Sequence, residues 1–343
     1  MRPWDGGPAD VRSRVHVPWV GGGPVPGKYP VGSPGYLLIN EDGKWNDQTP
    51  AAMKQFWLSK QAVWSDVDGD EQAELLVATE WGSVKLIQKR DDEWIDLTEQ
   101  AGLSLLLGWW NSIAAADLDG DGDTDFVLGN RGLNTAYQPG ISEPDWLIYG
   151  DMDQNARPEL LEVYSEGGVR YPRRGFDPLQ RSMPFLRQKF LNFHQFSMTP
   201  LTSMFSEDAV RKAYLVRATQ AASGVLLNKG DLKFEFKPLP KPAQAAPIND
   251  VVITDLNGDE VPDLVVAQND FSPQRMHGRM DGGLGMLLLG RGDGSFDCVN
   301  ADQSGVVVSG DMRRVESVDL NRDGKEDLVF GGRSGNFKAL LRQ

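Results

Sequence analysis

Short apolar segments separated by acidic loops organise this chain. Apolar runs of four to six residues recur, such as L-L-V-A-T from Leu75, F-V-L-G from Phe126 and L-V-V-A from Leu264. Runs of this length that are rich in aliphatic and β-branched residues indicate buried strands rather than helices. The pattern therefore predicts an all-β fold.

Five of these runs follow nine-residue loops that carry oxygen-bearing side chains at positions 1, 3, 5 and 9. Alternate residues of a tight loop point inward, and Ca2+ takes roughly 6–8 oxygen ligands. The sequence therefore predicts calcium sites. Their ligands are expected to be Asp66, Asp68, Asp70 and Glu74; Asp117, Asp119, Asp121 and Asp125; Asp151, Asp153, Asn155 and Glu159; Asp255, Asn257, Asp259 and Asp263; and Asp319, Asn321, Asp323 and Asp327.

The loops are not EF-hands, because an EF-hand has a bidentate Glu at position 12 and four of the five residues there are apolar. The alternative is a set of Asp/Asn/Gly turns without metal, but closely spaced acids in five loops would repel each other. We expect the Asp117 loop, with five Asp, to bind calcium best. The Asp151 loop has only three acids and also contains Arg157, so it is the weakest candidate.

Second hairpins follow the loops, for example Val84–Ile87 with Trp94–Leu97 and the segment from Gly285. Four strands per unit are typical of a propeller blade. The loops begin 51, 34, 104 and 64 residues apart, so the third interval requires an insertion. With the hairpin from Gly35 and a possible metal-free unit near Ala213–Pro240, the count predicts a β-propeller of six or seven four-stranded blades.

A helical insertion is predicted at about residues 176–217. Its apolar residues are spaced by 4, 3, 4 and 3, which is a helical period: Leu179, Met183, Leu186, Phe190 and Phe193. A second helix is predicted near Pro200–Leu215. Residues 170–217 contain nine Lys/Arg and three acids, a charge of +6 within a chain of −14. This segment is either a solvated face or a docking surface for an acidic polymer or partner.

The repeats resemble the FG-GAP (VCBS-type) repeats of the integrin α-subunit propeller and of bacterial and animal relatives of cartilage acidic protein. The segment Gly108–Asn134 and the V-P-G-K-Y-P motif from Val25 are typical of the bacterial members. The resemblance covers about residues 15–343 and leaves residues 1–14 as an N-terminal lead. It implies a propeller with Ca2+ in its blade hairpins, usually at an extracellular, periplasmic or cell-surface location, as in cell adhesion.

The composition agrees with metal sites. The five loops hold 21 of the 49 acids, and five Ca2+ ions would bring the net charge from −14 to about −4. Nucleic-acid binding is not expected, because it requires a basic face. No apolar run approaches the length of a transmembrane helix, and no signal peptide is visible. We therefore expect the chain to be part of a larger exported protein. Cys298 is the single cysteine, which excludes an internal disulfide.

The sequence favours an extracellular module that binds a protein or a glycan on a propeller face, rather than an enzyme, because the close carboxylate pairs belong to metal loops. One alternative is a propeller-fold polysaccharide lyase or hydrolase that uses Arg173, Arg174 and His194. The other is a purely structural part of a larger secreted protein. Further candidate ligand contacts are Trp109–Trp110, Trp57 with Trp64, and the loop Gln274–Asp281, which contains Arg275, His277 and Arg279.

Overall fold

The computed structural model describes residues 19–41, 43–50, 53–55, 58–91, 93–273 and 278–342. The predicted lead at residues 1–14, Trp57, Arg275 and His277 lie outside these residues. Six antiparallel sheets, arranged like blades, account for the strands of the described ranges. These sheets confirm the predicted all-β, propeller-type fold.

The first two sheets follow the chain order. The first contains β1 (Trp19–Val20), β2 (Tyr36–Glu41) and β3 (Lys44–Asp47). After a 3-10 turn (Met53–Gln55), the second contains β4 (Ser59–Ser65), β5 (Glu74–Ser83), β6 (Lys85–Arg90) and β7 (Glu93–Asp96). A second 3-10 turn (Leu103–Leu105) leads to β8 (Leu107–Trp109), which pairs with the end of β5. The Asp66 loop joins β4 to β5.

The third sheet is interrupted by an insertion. It begins with β9 (Ser112–Ala116) and β10 (Asp125–Gly129), joined by the Asp117 loop. The chain then forms a separate sheet from β11 (Asp145–Gly150), β12 (Glu159–Glu166), β13 (Val169–Pro172) and β14 (Tyr214–Ala218), in the order β13-β12-β11-β14. Five short helices lie between β13 and β14: α1 (Phe176–Ser182), α2 (Phe185–Lys189), α3 (Phe193–Ser197), α4 (Leu201–Met204) and α5 (Glu207–Lys212).

The hairpin after the insertion completes the third sheet. Strand β15 (Gly224–Asn228) pairs with β10, with Phe126 opposite Leu226, and β16 (Phe234–Pro238) pairs with β15. The predicted metal-free unit near Ala213–Pro240 is therefore wrong. Its first residues form the edge strand β14, and its hairpin supplies the outer strands that β9 and β10 lack.

The last two sheets resume the regular order. After a 3-10 turn (Lys241–Ala245), the fourth contains β17 (Ile248–Thr254), β18 (Asp263–Gln268), β19 (Met286–Gly290) and β20 (Phe296–Val299), followed by α6 (Ala301–Ser304). The fifth contains β21 (Met312–Val318), β22 (Asp327–Gly332) and β23 (Phe337–Leu340). The first strands of four successive sheets, β4, β9, β17 and β21, lie next to one another, as inner strands of blades do.

Apolar clusters fill the spaces between neighbouring sheets and explain the continuous apolar runs. In β5, Leu75 and Val77 pack toward the first sheet, whereas Leu76 and Ala78 pack toward the third. The same alternation recurs in β10 and in β18. Because both faces of these strands are buried, every position is apolar rather than every second one.

The helical insertion is confirmed, but the single helix predicted from Leu179 to Phe193 is three short ones. Pro184 disfavours helical geometry at the residue before it, and Met183 ends α1 with φ −126° and ψ 81°. Asn192 then caps α3 by accepting a hydrogen bond from Gln195 N–H at 2.9 Å. Leu179, Met183, Leu186 and Phe190 are buried as predicted, whereas Phe193 is exposed. No helix in the described part of the chain is long and apolar enough to cross a membrane.

Candidate metal centres

The five acidic loops share one hydrogen-bonding scheme, built around the Asp at position 1. In the first loop, Gly69 N–H donates to Oδ1 of Asp66 at 2.8 Å and Glu71 N–H donates to Oδ2 at 2.9 Å. In every other loop the same Asp accepts a backbone N–H from position 4 or 5 and another from position 6. The carboxylate of this Asp therefore lies at the centre of each loop and holds the loop backbone by hydrogen bonds.

The backbone repeats as closely as the hydrogen bonds do. Positions 4 and 6 have positive φ in all five loops, and five of these ten residues are not glycine: Glu71, Gln154, Ala156, Glu260 and Arg322. A residue with a Cβ pays roughly 1–2 kcal/mol for this left-handed conformation. The loop's hydrogen bonds, and any ion it binds, must offset that cost. The sequence does not reveal this shared geometry, because these five side chains carry no turn signal.

The acid at position 9 joins each loop to its sheet. Glu74, Asp125, Asp263 and Asp327 are fully buried, and Glu159 is 9% exposed. One carboxylate oxygen of each acid accepts the backbone N–H of position 2 at 2.9–3.0 Å. In three sheets the second oxygen accepts a backbone N–H at or near the end of the third strand, from Asn228, Gly290 or Arg342. The acid is thus held by the scaffold.

Acidic oxygens converge in three of the loops. One carboxylate oxygen from each member lies within 4.8 Å of the others in the sets Asp66, Asp68 and Asp70; Asp117, Asp119 and Asp125; and Asp151, Asp153 and Glu159. The last set belongs to the loop ranked weakest from sequence. The residue at position 5 of every loop accepts the backbone N–H of position 7 at 2.8–2.9 Å: Asp70, Asp121, Asn155, Asp259 and Asp323.

The loops beginning at Asp255 and Asp319 have Asn at position 3. The Nδ2 groups of Asn257 and Asn321 donate to Oδ2 of the Asp at position 5, at 2.8 and 2.9 Å. Asn supplies a carbonyl oxygen but no charge, so these two loops carry less negative charge at the centre than the Asp117 loop.

Burial and mutual repulsion raise the pKa of four position-9 carboxylates, those of Glu74, Asp125, Glu159 and Asp263. Burial, together with the charges of Asp68 and Asp70, raises the pKa of Glu74 to about 7. Burial and the acids of the Asp117 loop raise the pKa of Asp125 to about 6. The pKa values of Asp263 and Glu159 are raised for the same reasons. A bound cation would favour the ionised form of each.

Side chains from the third strand reach two of the loops. Lys229, directly after β15, places Nζ 2.8 Å from Oδ2 of Asp119, and this hydrogen bond lowers the pKa of Asp119. Gln88 in β6 donates Nε2 to Oδ2 of Asp68 at 2.9 Å. A cation entering the Asp117 loop therefore meets Lys229 as a competitor for Asp119.

The donor set fits a hard cation. The predicted ligands offer oxygen alone, which suits Ca2+, whereas zinc sites use imidazole and thiolate. Oδ1 of Asp119 is buried and has no hydrogen-bond partner in the described structure. An unpaired buried carboxylate oxygen is what a metal ligand leaves when no ion is bound.

Sequence candidates outside the loops fall into two groups. Arg173, Arg174 and His194 line one cavity of about 380 Å³ beside the inserted sheet. Trp109 and Trp110 are buried, with ring centroids 4.7 Å from Trp81 and 5.8 Å from Phe236 respectively.

Two further candidates also make intramolecular contacts. Trp64 packs on Trp94 at 5.9 Å, and the guanidinium of Arg279 lies 5.0 Å from the Phe271 ring centroid. Trp109 and Trp110 thus fill space between sheets, whereas Trp64 is only partly buried.

A cluster of arginine and aromatic side chains joins the inserted sheet to the second and third sheets. The guanidinium of Arg131 lies 5.3 Å from the ring centroid of Trp109 and 4.4 Å from that of Tyr137. The hydroxyl of Tyr137 donates to Oε1 of Glu162 at 2.9 Å, and Nε of Arg174 lies 3.3 Å from Oε2 of the same residue. The insertion is therefore packed against the blades.

Successive antiparallel sheets, in which each of the five acidic loops joins two neighbouring strands, define a protein of blade-type β repeats. Residues 66–128 match the family model of the FG-GAP-like repeat. This span runs from the Asp66 loop through the Asp117 loop to β10. The chain thus contains an FG-GAP-like repeat, as the sequence motifs indicated. A search of curated proteins finds no match.

Proposed function

We propose that this protein is a calcium-stabilised extracellular interaction module that binds a protein or a glycan. The FG-GAP-like repeat supports a propeller-type interaction module. The observation that carries the calcium assignment is the buried acid at position 9, which is held in the same way in all five loops. A buried carboxylate beside two or three others is unfavourable unless a positive charge joins them.

Calcium has a structural role in this proposal. Positions 1, 3 and 5 belong to the loop, whereas position 9 is the first residue of the returning strand, so an ion that contacts both ties the loop to the sheet. Extracellular calcium modules typically bind at roughly 10⁻⁴–10⁻³ M. Sites of that affinity would fill outside the cell and remain empty in the cytosol, so the proposal requires an extracellular or cell-surface location.

Thermal unfolding with and without calcium tests the proposal. We expect a chelator in excess to lower the melting temperature and millimolar Ca2+ to restore it, since a ligand of the native state stabilises by RT ln(1 + [L]/Kd). NaCl at three times the molar concentration of the added CaCl2 gives the same ionic strength and serves as the control. An unchanged melting curve in the chelator would refute the metal assignment.

One observation favours the alternative of a polysaccharide lyase or hydrolase, namely the shared cavity of Arg173, Arg174 and His194. However, Arg173 is paired with Asp145, and Arg174 contacts Glu162. Acid–base chemistry at this cavity would therefore fall to His194 or to Tyr164 and Tyr171, which also line it. We propose binding without turnover. Incubation with acidic polysaccharides, followed by assay of new reducing ends and unsaturated uronates, should show no product; product formation would support the enzyme.

The remaining alternative is a purely structural part of a larger secreted protein. It predicts calcium-dependent stability without retention of the folded chain on protein or glycan arrays. Retention on either array would exclude it.

A further inference from the structure

The insertion forms a groove whose lining contains no residue of the acidic loops. This insertion groove, of about 380 Å³, is lined by Tyr164 and Tyr171 from the sheet, by Arg173 and Arg174 after β13, and by Phe193 and His194 of α3, among others. Tyr164 and Tyr171 are cross-strand partners with ring centroids 5.7 Å apart. The volume lies in the range of small-ligand sites, roughly 300–1,000 Å³.

Two of the hydrogen-bond donors on the arginines that line the groove lack an acceptor. The terminal nitrogens of Arg173 bind Asp145 and the carbonyl of Ala136, and Nε of Arg174 contacts Glu162. Nε of Arg173 and Nη2 of Arg174 are buried and lack any acceptor in the described structure. Unpaired buried donors are unfavourable. An acceptor oxygen of a ligand or of an ordered water reaches either nitrogen only if the side chain moves, because both nitrogens are inaccessible as placed.

Positive charge on the inserted sheet is incompletely neutralised. Arg170, next to Tyr171 in sequence, and Arg217 both stack on Trp146, with guanidinium carbons 4.0 and 5.5 Å from the ring centroid. Neither forms a salt bridge with any described residue. Burial, together with the charge of Arg217, lowers the pKa of Arg170. These two arginines do not line the groove, but they add positive charge to the sheet that borders it.

We propose that the insertion groove binds an acidic sugar residue, a uronate, within a polysaccharide chain. The apolar face of the sugar ring packs on Tyr171 and Phe193, as sugars do on aromatic rings, and its carboxylate and hydroxyl oxygens accept hydrogen bonds from Arg174 and His194. A nucleic acid fits less well, because a chain of −14 lacks the extended basic face required. The proposal rests on the proposed interaction function, for which it names the ligand class.

The segment around α3 supplies matched variants. Phe193 is 59% exposed and lines the groove, whereas Leu191 and Met198 are 85% and 66% exposed and are not among its lining residues. Phe193 also packs edge-to-face on Phe176, with ring centroids 5.7 Å apart, so the melting temperature of each variant is compared with that of the wild type. Phe193→Ala should weaken binding by about tenfold or more. His194→Gln should also weaken binding, because it alters a second contact that is independent of Phe193. Leu191→Ala and Met198→Ala should leave the affinity within about twofold.

Calorimetry at fixed free calcium would use three probes: a glucuronate-containing oligosaccharide, its methyl ester of equal length, and a polyglutamate peptide of equal charge. We expect the acid to bind and the ester and peptide to bind at least about tenfold more weakly. Lack of oligosaccharide binding by the folded protein would overturn the proposal, as would equal binding of the ester or equal losses in Phe193→Ala and Leu191→Ala. Polyglutamate binding as tightly as the sugar would assign the groove to an acidic peptide.

The same samples separate this inference from the calcium assignment. Their melting temperature is recorded with calcium and with chelator before each titration. A calcium-dependent melt without oligosaccharide binding refutes the groove alone. Oligosaccharide binding with a calcium-independent melt refutes the role of the metal alone.

Discussion

Replacing Asp125 with Asn separates the structural role of this carboxylate from its role as a calcium ligand. Its two oxygens accept backbone N–H groups of Leu118 and Asn228 at 2.9 and 2.8 Å. The Asn amide keeps one acceptor oxygen and turns an NH2 group toward the other donor. One buried backbone N–H is therefore left unpaired, while the shape of the side chain is conserved.

The expected loss differs between the two metal states. Without calcium, the unpaired N–H should lower the free energy of unfolding by about 1–3 kcal/mol, and removal of a charge repelled by Asp119 and Asp121 keeps the loss toward the lower end. With free calcium at about 10 times Kd, the wild-type loop gains about 1.4 kcal/mol, which the variant forfeits. The total loss in calcium should therefore be about 2–4 kcal/mol.

Urea unfolding followed by tryptophan fluorescence, with millimolar Ca2+ and with chelator, measures both values. Asp123→Asn is the matched control, because Asp123 is an exposed residue of the same loop and is not a predicted ligand. Its loss should stay within about 0.5 kcal/mol in both conditions. If calcium stabilises the Asp125→Asn variant as much as the wild type, Asp125 is not a calcium ligand and the loop scheme is wrong.

Two further predictions concern charge in the loops. Without calcium, the free energy of unfolding should fall as the pH rises from about 4 to 7. Folded Glu74 and Asp125 hold their protons up to pKa values of about 7 and about 6, whereas the unfolded chain releases them near pH 4. A melting temperature that rises with pH over this range in chelator would contradict the raised pKa values. Lys229→Met should tighten calcium binding at the Asp117 loop by up to about fivefold, since an ion pair whose lysine is still 38% exposed contributes up to about 1 kcal/mol. Calorimetric titration of calcium measures the change, and Lys233→Met is the control because Lys233 is an exposed lysine near Asp231. Weaker calcium binding by Lys229→Met would show that Lys229 assists the metal.

The strands and loops were predictable because their causes are local. Residues 75–78 and 264–267 are buried on both faces, so the apolar run appears in the sequence without alternation. The spacing of Asp117, Asp119 and Asp121 is likewise visible within a few residues.

Features that depend on distant residues were not predictable. The hairpin beginning at Gly224 has the pattern of any outer hairpin, and only its pairing with Phe126 and Val127 assigns it to the third sheet. The left-handed residues Gln154 and Arg322 are imposed by the hydrogen bonds of the loop rather than by their own preferences. Pro184 and Asn192 divide the predicted helix, which lets α3 turn back toward β13. The proximity of Arg173, Arg174 and His194 results from this turn and is not visible in the local sequence.

Calorimetric titration of calcium into chelator-stripped protein, with metal analysis of the dialysed product, tests most directly whether the acidic loops are calcium sites. Several ions should bind to each chain, up to five, at roughly millimolar or tighter affinity, with the Asp151 loop filled last because it has three acids. Binding should vanish in a chain that carries Asn at position 1 of every loop. A wild-type chain that binds no calcium at millimolar concentration would contradict the assignment.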